Sequence, residues 1–386
     1  MVRKSNTNDQ VKLSTAELAA VLSVPGIGRK TVRQIMTYLN KHEVSFGEFW
    51  RKLPISVVEL LLSKKQLDSL KNFKKEHTIS SYNDSLLEQG IQLISYKDIA
   101  YPPLLLAAAD FPLLLFAKGN TKVLRDRRMI AVVGTRRVTA YGKMATRKIV
   151  GELCLEEAII VSGFMYGVDA EAHRAAILAG GQTVGVLGYG YNYLFPERQR
   201  PLFSNLLEHG GVFITEFPPY VAPKAGQFPV RNRIIAGMSQ AVVVIEAASR
   251  SGTTITANCA LEEGRLVCAV PGPVTSPFSD GTKNLLKQGA VMVGSGSEII
   301  GELQSSYPEC WQGNYAAKNY SFYPGGHDSP EKIIYDMLMA QSLSTEKLSQ
   351  QIQLPVVELN TLLTQLELNG RIVRNGLNWT AVSIDE

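Results

Sequence analysis

The period of the apolar positions changes twice along the chain. Residues 14–76 place apolar side chains at helical spacing in LAAVLSV, TVRQIMTYL and ISVVELLL, with turn residues between these runs. From Tyr96 to about Leu303, short β-branched runs alternate with helical ones, and helical spacing returns near the C-terminus. The pattern predicts three domains: a small helical domain within residues 1–80, an α/β domain over 85–305, and a terminal domain over 329–386.

The α/β segment contains seven apolar runs, namely MIAVVG, AIIVSG, TVGVLG, VFITEF, AVVVIEA, LVCAVPG and VMVG. Strands that are apolar at nearly every position are buried on both faces, as in a parallel sheet covered by helices. We therefore predict a doubly wound parallel sheet. Ligands of such sheets bind beyond the carboxyl ends of the strands, near the point where the strand order reverses.

The helical segment contains the sequence VPGIGRK at residues 24–30. It resembles a helix-hairpin-helix (SAM-like) turn, where glycines bring backbone N–H groups and a helix N-terminus close to a phosphate. A tight turn between two packed helices explains the same residues, so contact with phosphate stays one of two interpretations.

Residues 306–328 are rich in turn residues and predict a linker. Beyond it, SPEKIIYDMLMA, STEKLSQQI and PVVELNTLLTQLELNG predict three helices, and RIVRNGLNWTAV predicts a hairpin with Asn375 and Gly376 at its tip. Three helices followed by a hairpin are typical of a winged helix. Its third helix carries Glu358 and Glu367 and almost no basic residues, so contact with protein is at least as well supported as contact with DNA.

Composition narrows the class of protein without selecting a function. The chain has 386 residues, enough for two or three domains, and a net charge of +5 that permits a polyanionic partner. Neither a membrane-spanning apolar stretch nor a secretory signal is visible, which predicts a cytoplasmic protein. Its four cysteines lack CxxC spacing, so we expect reduced thiols and no metal site.

Three loops after predicted strands carry groups that suit an anion. Gly134, Thr135, Arg136 and Arg137 follow the first strand, and a helix begins shortly afterwards. In the second loop, Lys224 precedes Phe228, Arg231, Asn232 and Arg233, which predicts phosphate binding with a base stacked on the ring. In the third loop, Ser251, Gly252 and Thr253 open a helix with free N–H groups.

The two arginines of the second loop differ in how strongly the sequence supports contact with DNA. Arg233 is equally well explained by DNA contact and by an ion pair with Glu216 or Glu246. Arg231 is the stronger candidate for DNA.

A further loop, at residues 162–169, leads into a helix that contains His173. Asp169 is expected to be the N-cap of this helix. A structural role is favoured for His173, because no nucleophile or metal-ligand spacing accompanies it. The dinucleotide pattern G-x-G-x-x-G is absent, and Ser162 and Gly163 end the second strand where an acidic residue would be needed, so no cofactor is expected.

In order, the segments VGTRRVTAYG, SGFMYGVDAEAH, GVLGYGYNYLFP, ITEFPP, FPVRNRIIAGMS, VVIEAASRSGTTITANCALEEGR and AVPGPVTSPFSDGTKNLLKQGA closely resemble the DNA-processing protein A family, also called Smf. The resemblance implies a Rossmann-like domain that binds single-stranded DNA, forms a homodimer and helps to load RecA during natural transformation. The family's DNA-binding positions correspond to Gly134, Arg136, Arg231, Asn232, Ser251, Gly252 and Thr253. Met165, Asn192 and Gln199 depart from its usual pattern.

A second hypothesis is a nucleotide-binding enzyme similar to the LOG-type phosphoribohydrolases, because Ser251, Gly252 and Thr253 faintly resemble their glycine-rich motif. The chain lacks the double-glycine turn of that motif. Glu262 and Glu263 lie about two and a half turns into the helix, beyond easy reach of a ligand at its start. We therefore expect a non-catalytic protein. A third hypothesis makes the domain surfaces mainly contacts for other proteins.

Overall fold

The computed structural model describes residues 13–52, 61–249, 251–311, 330–352, 354–368 and 371–381. Among these, the helical domain contains α1 (Thr15–Leu22), α2 (Arg29–Lys41), α3 (Phe46–Lys52), α4 (Lys64–Glu76) and α5 (Ile79–Glu88). Side chains of Ser14, Ser63 and Thr78 cap three of the helices through reciprocal capping boxes. Most of the predicted run ISVVELLL lies outside the described residues.

The α/β domain alternates strands and helices as its periodicity predicts. Its elements are β1 (Gln92–Ser95), α6 (Pro103–Leu106), β2 (Leu114–Gly119), β3 (Met129–Val133), α7 (Ala140–Leu155), β4 (Ile159–Ser162), α8 (Val168–Leu178), β5 (Thr183–Val186), α9 (Arg200–Glu208), β6 (Val212–Thr215), α10 (Gln227–Gly237), β7 (Ala241–Val244), α11 (Gly252–Glu262), β8 (Leu266–Ala269), α12 (Asp280–Lys287), β9 (Val291–Met292) and α13 (Gly296–Gln304). The predicted α/β class is confirmed.

The strand order in this sheet is β1-β2-β6-β5-β4-β3-β7-β8-β9. The seven strands from β6 to β9 are parallel, whereas β1 and β2 extend one edge in antiparallel pairing. That antiparallel edge was not predicted. The order reverses at β3, which pairs with β4 on one side and with β7 on the other. The crevice expected at such a reversal therefore lies beyond the carboxyl ends of β3 and β7.

Successive residues of the central strands enter two different cores. Ala131 and Val133 pack in one core, while Ile130 and Val132 pack in another on the opposite face of the sheet. Helices cover both faces, so the parallel strands are apolar at nearly every position. This double burial fixes the strand ends, and with them the loops that follow.

The terminal domain has the predicted winged-helix elements. They are α14 (Pro330–Ala340), β10 (Leu343–Ser344), α15 (Thr345–Ile352), α16 (Val356–Leu368), β11 (Ile372–Asn375) and β12 (Asn378–Ala381). Gly376 has φ +65° at the hairpin tip, which suits the predicted Asn-Gly turn. Residues 312–328 of the predicted linker lie outside the described residues. Trp311, near its start, is buried and donates its indole N–H to Gln240 Oε1 at 2.6 Å.

Candidate nucleic-acid interface

The three predicted loops meet in one cavity at the point where the strand order reverses. This switch-point pocket has a volume of about 450 Å³. Its walls come from the ends of β3 and β4 and from the starts of α10 and α11. The lining residues include Gly134, Thr135, Arg136, Arg137, Met165, Asp169, Ala225, Phe228, Pro229, Arg231, Asn232, Ser251, Gly252 and Thr253.

The loop after β3 is held rigidly by backbone contacts. The backbone N–H of Thr135 donates to the carbonyl of Glu246 at 2.7 Å, and Val168 N–H donates to the carbonyl of Thr135 at 3.1 Å. Gly167 has φ +79°, and a Cβ there would lie 2.1 Å from Thr135 O. A side chain at this position would therefore push the two loops apart. The buried Thr135 thus anchors a loop on which Arg136 is exposed.

Arg136 and Arg137 each lie over an aromatic ring. The guanidinium carbon of Arg136 is 5.7 Å from the ring centroid of Phe228, and that of Arg137 is 5.9 Å from Phe278. Neither arginine has a carboxylate within ion-pair distance in the described part of the chain. Both cations can therefore accept an external phosphate without breaking an internal pair.

Phe228 lies in the first turn of α10 and forms the aromatic part of the site. Its ring centroid is 5.9 Å from that of Phe195, which is 40% exposed. Sequence reasoning missed Phe195, although an aromatic residue in the loop after β5 is a usable signal. Lys224 is exposed just before α10, and its backbone N–H donates to Gln227 Oε1 at 2.6 Å.

Arg231 occupies the floor of the pocket. It is 3% exposed, and its guanidinium donates to the carbonyl oxygens of Gly163 and Val186. Burial lowers the pKa of Arg231 to about 10, which leaves it cationic at neutral pH. The predicted DNA contact of Arg231 stays a prediction, but these bonds show that the residue first joins the ends of β4 and β5 to α10.

Asp169 lies beside Arg231 and is also buried. Burial raises the pKa of its carboxyl group, and the charge of Arg231 opposes this rise. The prediction that Asp169 caps α8 is wrong, because Gly167 is the N-cap and Asp169 stands within the first turn. Its Oδ2 accepts instead from Met165 N–H at 3.4 Å.

Arg233 turns away from the pocket and pairs with carboxylates. It donates to Glu216 Oε2 and to the carbonyl of Asp110, and its Nε lies 3.6 Å from Asp110 Oδ2. Of the two acids weighed from sequence, Glu216 is the partner. Glu246 instead accepts from Thr139 N–H at 2.9 Å and from its hydroxyl at 2.6 Å, which fixes the start of α7.

The start of α11 is open towards the pocket. Its N-cap, Ser251, makes no side-chain capping bond, and the buried Ser251 Oγ has no hydrogen-bond partner among the described residues. A Cβ built on Gly252 would meet no atom within 4 Å. Asn232 Nδ2 donates to Gly252 O at 3.4 Å and joins α10 to this loop, while Thr253 is buried. Such an uncapped helix start suits an anion.

His173 is a structural residue, as the sequence favoured. It is 0% exposed, and its Nδ1 lies 2.7 Å from Thr183 Oγ1. Burial lowers its pKa to about 3, so the imidazole is neutral at physiological pH. It has no access to a ligand in the pocket.

The helix-hairpin-helix-like turn contacts the α/β domain. Arg29, the first residue of α2, forms two hydrogen bonds with Asp110, at 2.9 and 2.6 Å, and lies 3.9 Å from Glu216. Arg33 donates to Phe111 O at 2.9 Å. We call Arg29, Asp110, Glu216 and Arg233 the seam. Arg29 is thus engaged with protein, whereas Lys30 is exposed.

The fold and the pocket define a doubly wound α/β protein with anion-oriented loops at its switch point. Matches to known families narrow this class. The family "DNA recombination-mediator protein A" matches residues 92–304, and the "DprA winged helix domain" matches residues 324–376. The chain belongs to the DNA recombination-mediator protein A family, which confirms the resemblance seen in its motifs.

Individual relatives agree with this assignment. Protein Smf of Escherichia coli K12 is 41% identical over 278 residues, which cover 70% of this chain and 72% of that protein. DNA processing protein DprA of Bacillus subtilis is 40% identical over 216 residues, which cover 56% and 72%.

Two solved structures are also similar. DprA of Streptococcus pneumoniae matches with a TM-score of 0.63 and 30% identity, over 76% of this chain and 99% of that one. DprA of Helicobacter pylori matches with a TM-score of 0.50 and 27% identity, over 56% and 97%, and its structure is described as revealing a single-stranded DNA binding mode.

No helix among the described residues has the length and apolar character needed to cross a bilayer. Within the same residues, no group of three or more His, Cys, Asp and Glu side chains is arranged to hold a metal ion.

Proposed function

We propose that this chain binds single-stranded DNA in the switch-point pocket and takes part in DNA processing during natural transformation without catalysing a reaction. The observation that carries this proposal is the convergence of Arg136, Arg137 and Phe228 with the open start of α11. Two cations without internal carboxylate partners and a neighbouring ring match the two parts of a nucleotide. Membership of the family and the subject of the Helicobacter pylori structure support the same function.

The geometry suggests how a strand is held. Arg136 and Arg137 donate to phosphate oxygens, while the first N–H groups of α11 meet a neighbouring phosphate. A base stacks on Phe228, close to Phe195, on the aromatic side of the pocket. Because stacking uses the face of the base, binding tolerates many sequences. A duplex binds less well, since its bases are already stacked and paired.

A non-catalytic role also fits the positions of the acidic residues. Glu263 accepts from the backbone N–H of Ala109 at 3.1 and 3.2 Å, so its carboxylate is used in packing. Asp169 is the acidic residue that lines the pocket, and it is buried beside Arg231. A LOG-type hydrolase needs an acid that can reach a ligand at the start of the helix, and neither residue is presented in that way.

The finer parts of the proposal rest on the family resemblance. We infer that the chain acts in the cytoplasm, forms a homodimer through the α/β domain and delivers bound strands to RecA. Light scattering across protein concentrations tests the dimer, and RecA filament assembly on coated single strands tests delivery.

Fluorescence anisotropy with single-stranded and duplex oligonucleotides across a salt series tests DNA binding directly. We expect a preference for the single strand, and we expect Arg136→Ala to weaken binding at least about tenfold and to reduce the salt slope by about 0.7. Arg125→Ala is the matched control, because Arg125 is exposed before the amino end of β3, on the opposite edge of the sheet. Equal affinity for both DNA forms, or no effect of Arg136→Ala, would refute the proposal.

A further inference from the structure

Net positive charge per residue is highest in the helical domain of this protein. Residues 1–88 contain 14 basic and 9 acidic residues, whereas the remaining 298 residues contain 26 of each. Within those 298 residues, the α/β part (residues 89–305), which holds the switch-point pocket, has 21 basic and 17 acidic residues, and residues 306–386 have 5 and 9. The helical domain therefore carries +5 on 88 residues and the α/β part +4 on 217, so net positive charge per residue is about three times higher in the helical domain. Such an asymmetry indicates a polyanion contact outside the pocket.

Arginines and lysines have different surroundings in this domain. Arg29 and Arg33 contact the α/β domain, at Asp110 and at the carbonyl of Phe111. Lys74 also has a protein partner, because its ammonium group donates to the carbonyl of Trp50. Seven other lysines are exposed, and within the described residues an ion pair is present for Lys52 alone, with Glu48; they are Lys30, Lys41, Lys52, Lys64, Lys65, Lys71 and Lys75.

Three of these lysines form a row along α4. Lys64, Lys71 and Lys75 are separated by seven and four residues, which places them on one face over about 16 Å of helix. The buried residues of α4, Leu70 and Phe73, occupy the other side. The face includes one acidic residue, Asp68, so it keeps a net charge of +2. We call Lys64, Lys71 and Lys75 the lysine face.

The lysine face is concave at one end. Asp68, Lys71, Asn72, Lys74 and Lys75 line a shallow surface depression there. Several cations spread along a helix suit a series of phosphates better than a single small anion. Lysine is also a flexible, strongly hydrated cation that binds phosphate as a point charge without fixed geometry.

The loop between β6 and α10 joins this domain to the pocket. Tyr220 in that loop donates its hydroxyl to Ser23 O, at the end of α1, at 2.9 Å. Lys224 follows on the same loop, just before the pocket residue Phe228. The loop that carries Lys224 thus leads from the pocket to the helical domain, and a strand that leaves the pocket past Lys224 would follow it.

We propose that the lysine face is a second DNA contact, which binds the phosphates of a strand extending beyond the switch-point pocket. This inference rests on the proposed function of the pocket. It predicts a contact that is independent of sequence and sensitive to salt, and that only a strand longer than the pocket can reach. An acidic protein or an anionic membrane would be a different partner for the same lysines.

Length dependence distinguishes this contact from the pocket. Anisotropy is measured on the full chain with an oligo-dT of about six nucleotides, near the lower end of single-strand site sizes, and with one several times longer. The test variant combines Lys64→Gln, Lys71→Gln and Lys75→Gln. The control combines Lys122→Gln, Arg125→Gln and Lys287→Gln, which remove the same charge from exposed positions elsewhere.

For the long strand, we expect the lysine-face variant to bind at least about tenfold more weakly at 0.1 M salt, with a salt slope reduced by about 2. Its affinity for the short strand should stay within about twofold of wild type, and the control should behave as wild type with both. An equal loss of affinity for the short and the long strand, or an equal loss of affinity in the control variant, would overturn the inference. Either result would mean that the lysines act only through the overall positive charge of the protein.

Unchanged binding of the long strand would also overturn it, and would leave an acidic protein or a membrane as the partner. The pocket is judged separately by Arg136→Ala, which should weaken binding at both lengths. Failure of wild type to bind either strand would instead refute the proposed function itself. Thermal melting of each variant confirms that the helical domain remains folded.

Discussion

The seam and the switch-point pocket both contain arginines, but their surroundings differ. In the seam, Arg29 and Arg233 contact Asp110 and Glu216, which neutralise them. In the pocket, Arg136 and Arg137 lie over aromatic rings, and no carboxylate among the described residues pairs with them. The presence of arginines therefore does not by itself identify an anion-binding site. The useful signal is an arginine whose charge is not paired with a carboxylate of the protein.

Arg231 shares features with both the structural arginines of the seam and the exposed arginines of the pocket, and its substitution should have the largest effect. It lies in the pocket, yet it is buried and bonded to carbonyl oxygens like a structural residue. We expect Arg231→Met to lower the free energy of unfolding by about 3–5 kcal/mol, because Asp169 and two carbonyl groups lose a buried partner. Urea denaturation measures this loss. Arg174→Met, on a half-exposed arginine nearby, is the control, and an equal effect there would contradict the distinction.

Arg233 should show a purely structural effect of smaller size. Arg233→Met leaves Glu216 buried without its nearer partner, although Arg29 remains 3.9 Å away. We expect a loss of about 2–3 kcal/mol in the free energy of unfolding, again measured in urea.

Adding Glu216→Leu to this variant should restore most of the stability, because no buried charge is then left unpaired. The salt slope of DNA binding should match wild type in both variants. A reduced slope would mean that Arg233 contacts phosphate, contrary to its position in the seam.

Phe228 separates stacking from charge within the pocket. Phe228→Ala should weaken single-strand binding about tenfold, the lower range for one stacked base, with an unchanged salt slope. Phe228→Tyr keeps the ring and should bind like wild type. If the alanine variant lowers the salt slope as Arg136→Ala does, then the ring acts mainly by holding Arg136, whose guanidinium carbon lies 5.7 Å from its centroid.

The sequence predicted the fold better than it predicted the surroundings of single side chains. Near-continuous apolar runs identified the seven parallel strands, and the position of their ends correctly placed the three loops together. The antiparallel strands β1 and β2 were missed, because they precede the regular alternation of strands and helices.

The exposures of Arg231, Arg233 and Asp169 could not be predicted. They depend on carbonyl groups and carboxylates far away in the chain, such as Val186 O and Glu216. Phe195 differs from these residues, because an aromatic residue in a loop after a strand was a usable signal; its contact with Phe228 shows that it lies beside the site.

The smallest expected effect concerns two neighbouring cations at the start of α2. Arg29→Gln and Lys30→Gln remove the same charge one residue apart, but Arg29 bonds to a half-exposed Asp110 while Lys30 is exposed. We expect Arg29→Gln to lower the free energy of unfolding by about 1 kcal/mol, and Lys30→Gln to change it by less than about 0.5 kcal/mol. Urea denaturation and the salt slope of DNA binding are measured for both. If Lys30→Gln lowers the salt slope and Arg29→Gln does not, the turn contacts phosphate through its lysine. If neither variant changes DNA binding, the turn serves only to hold the helical domain against the α/β domain.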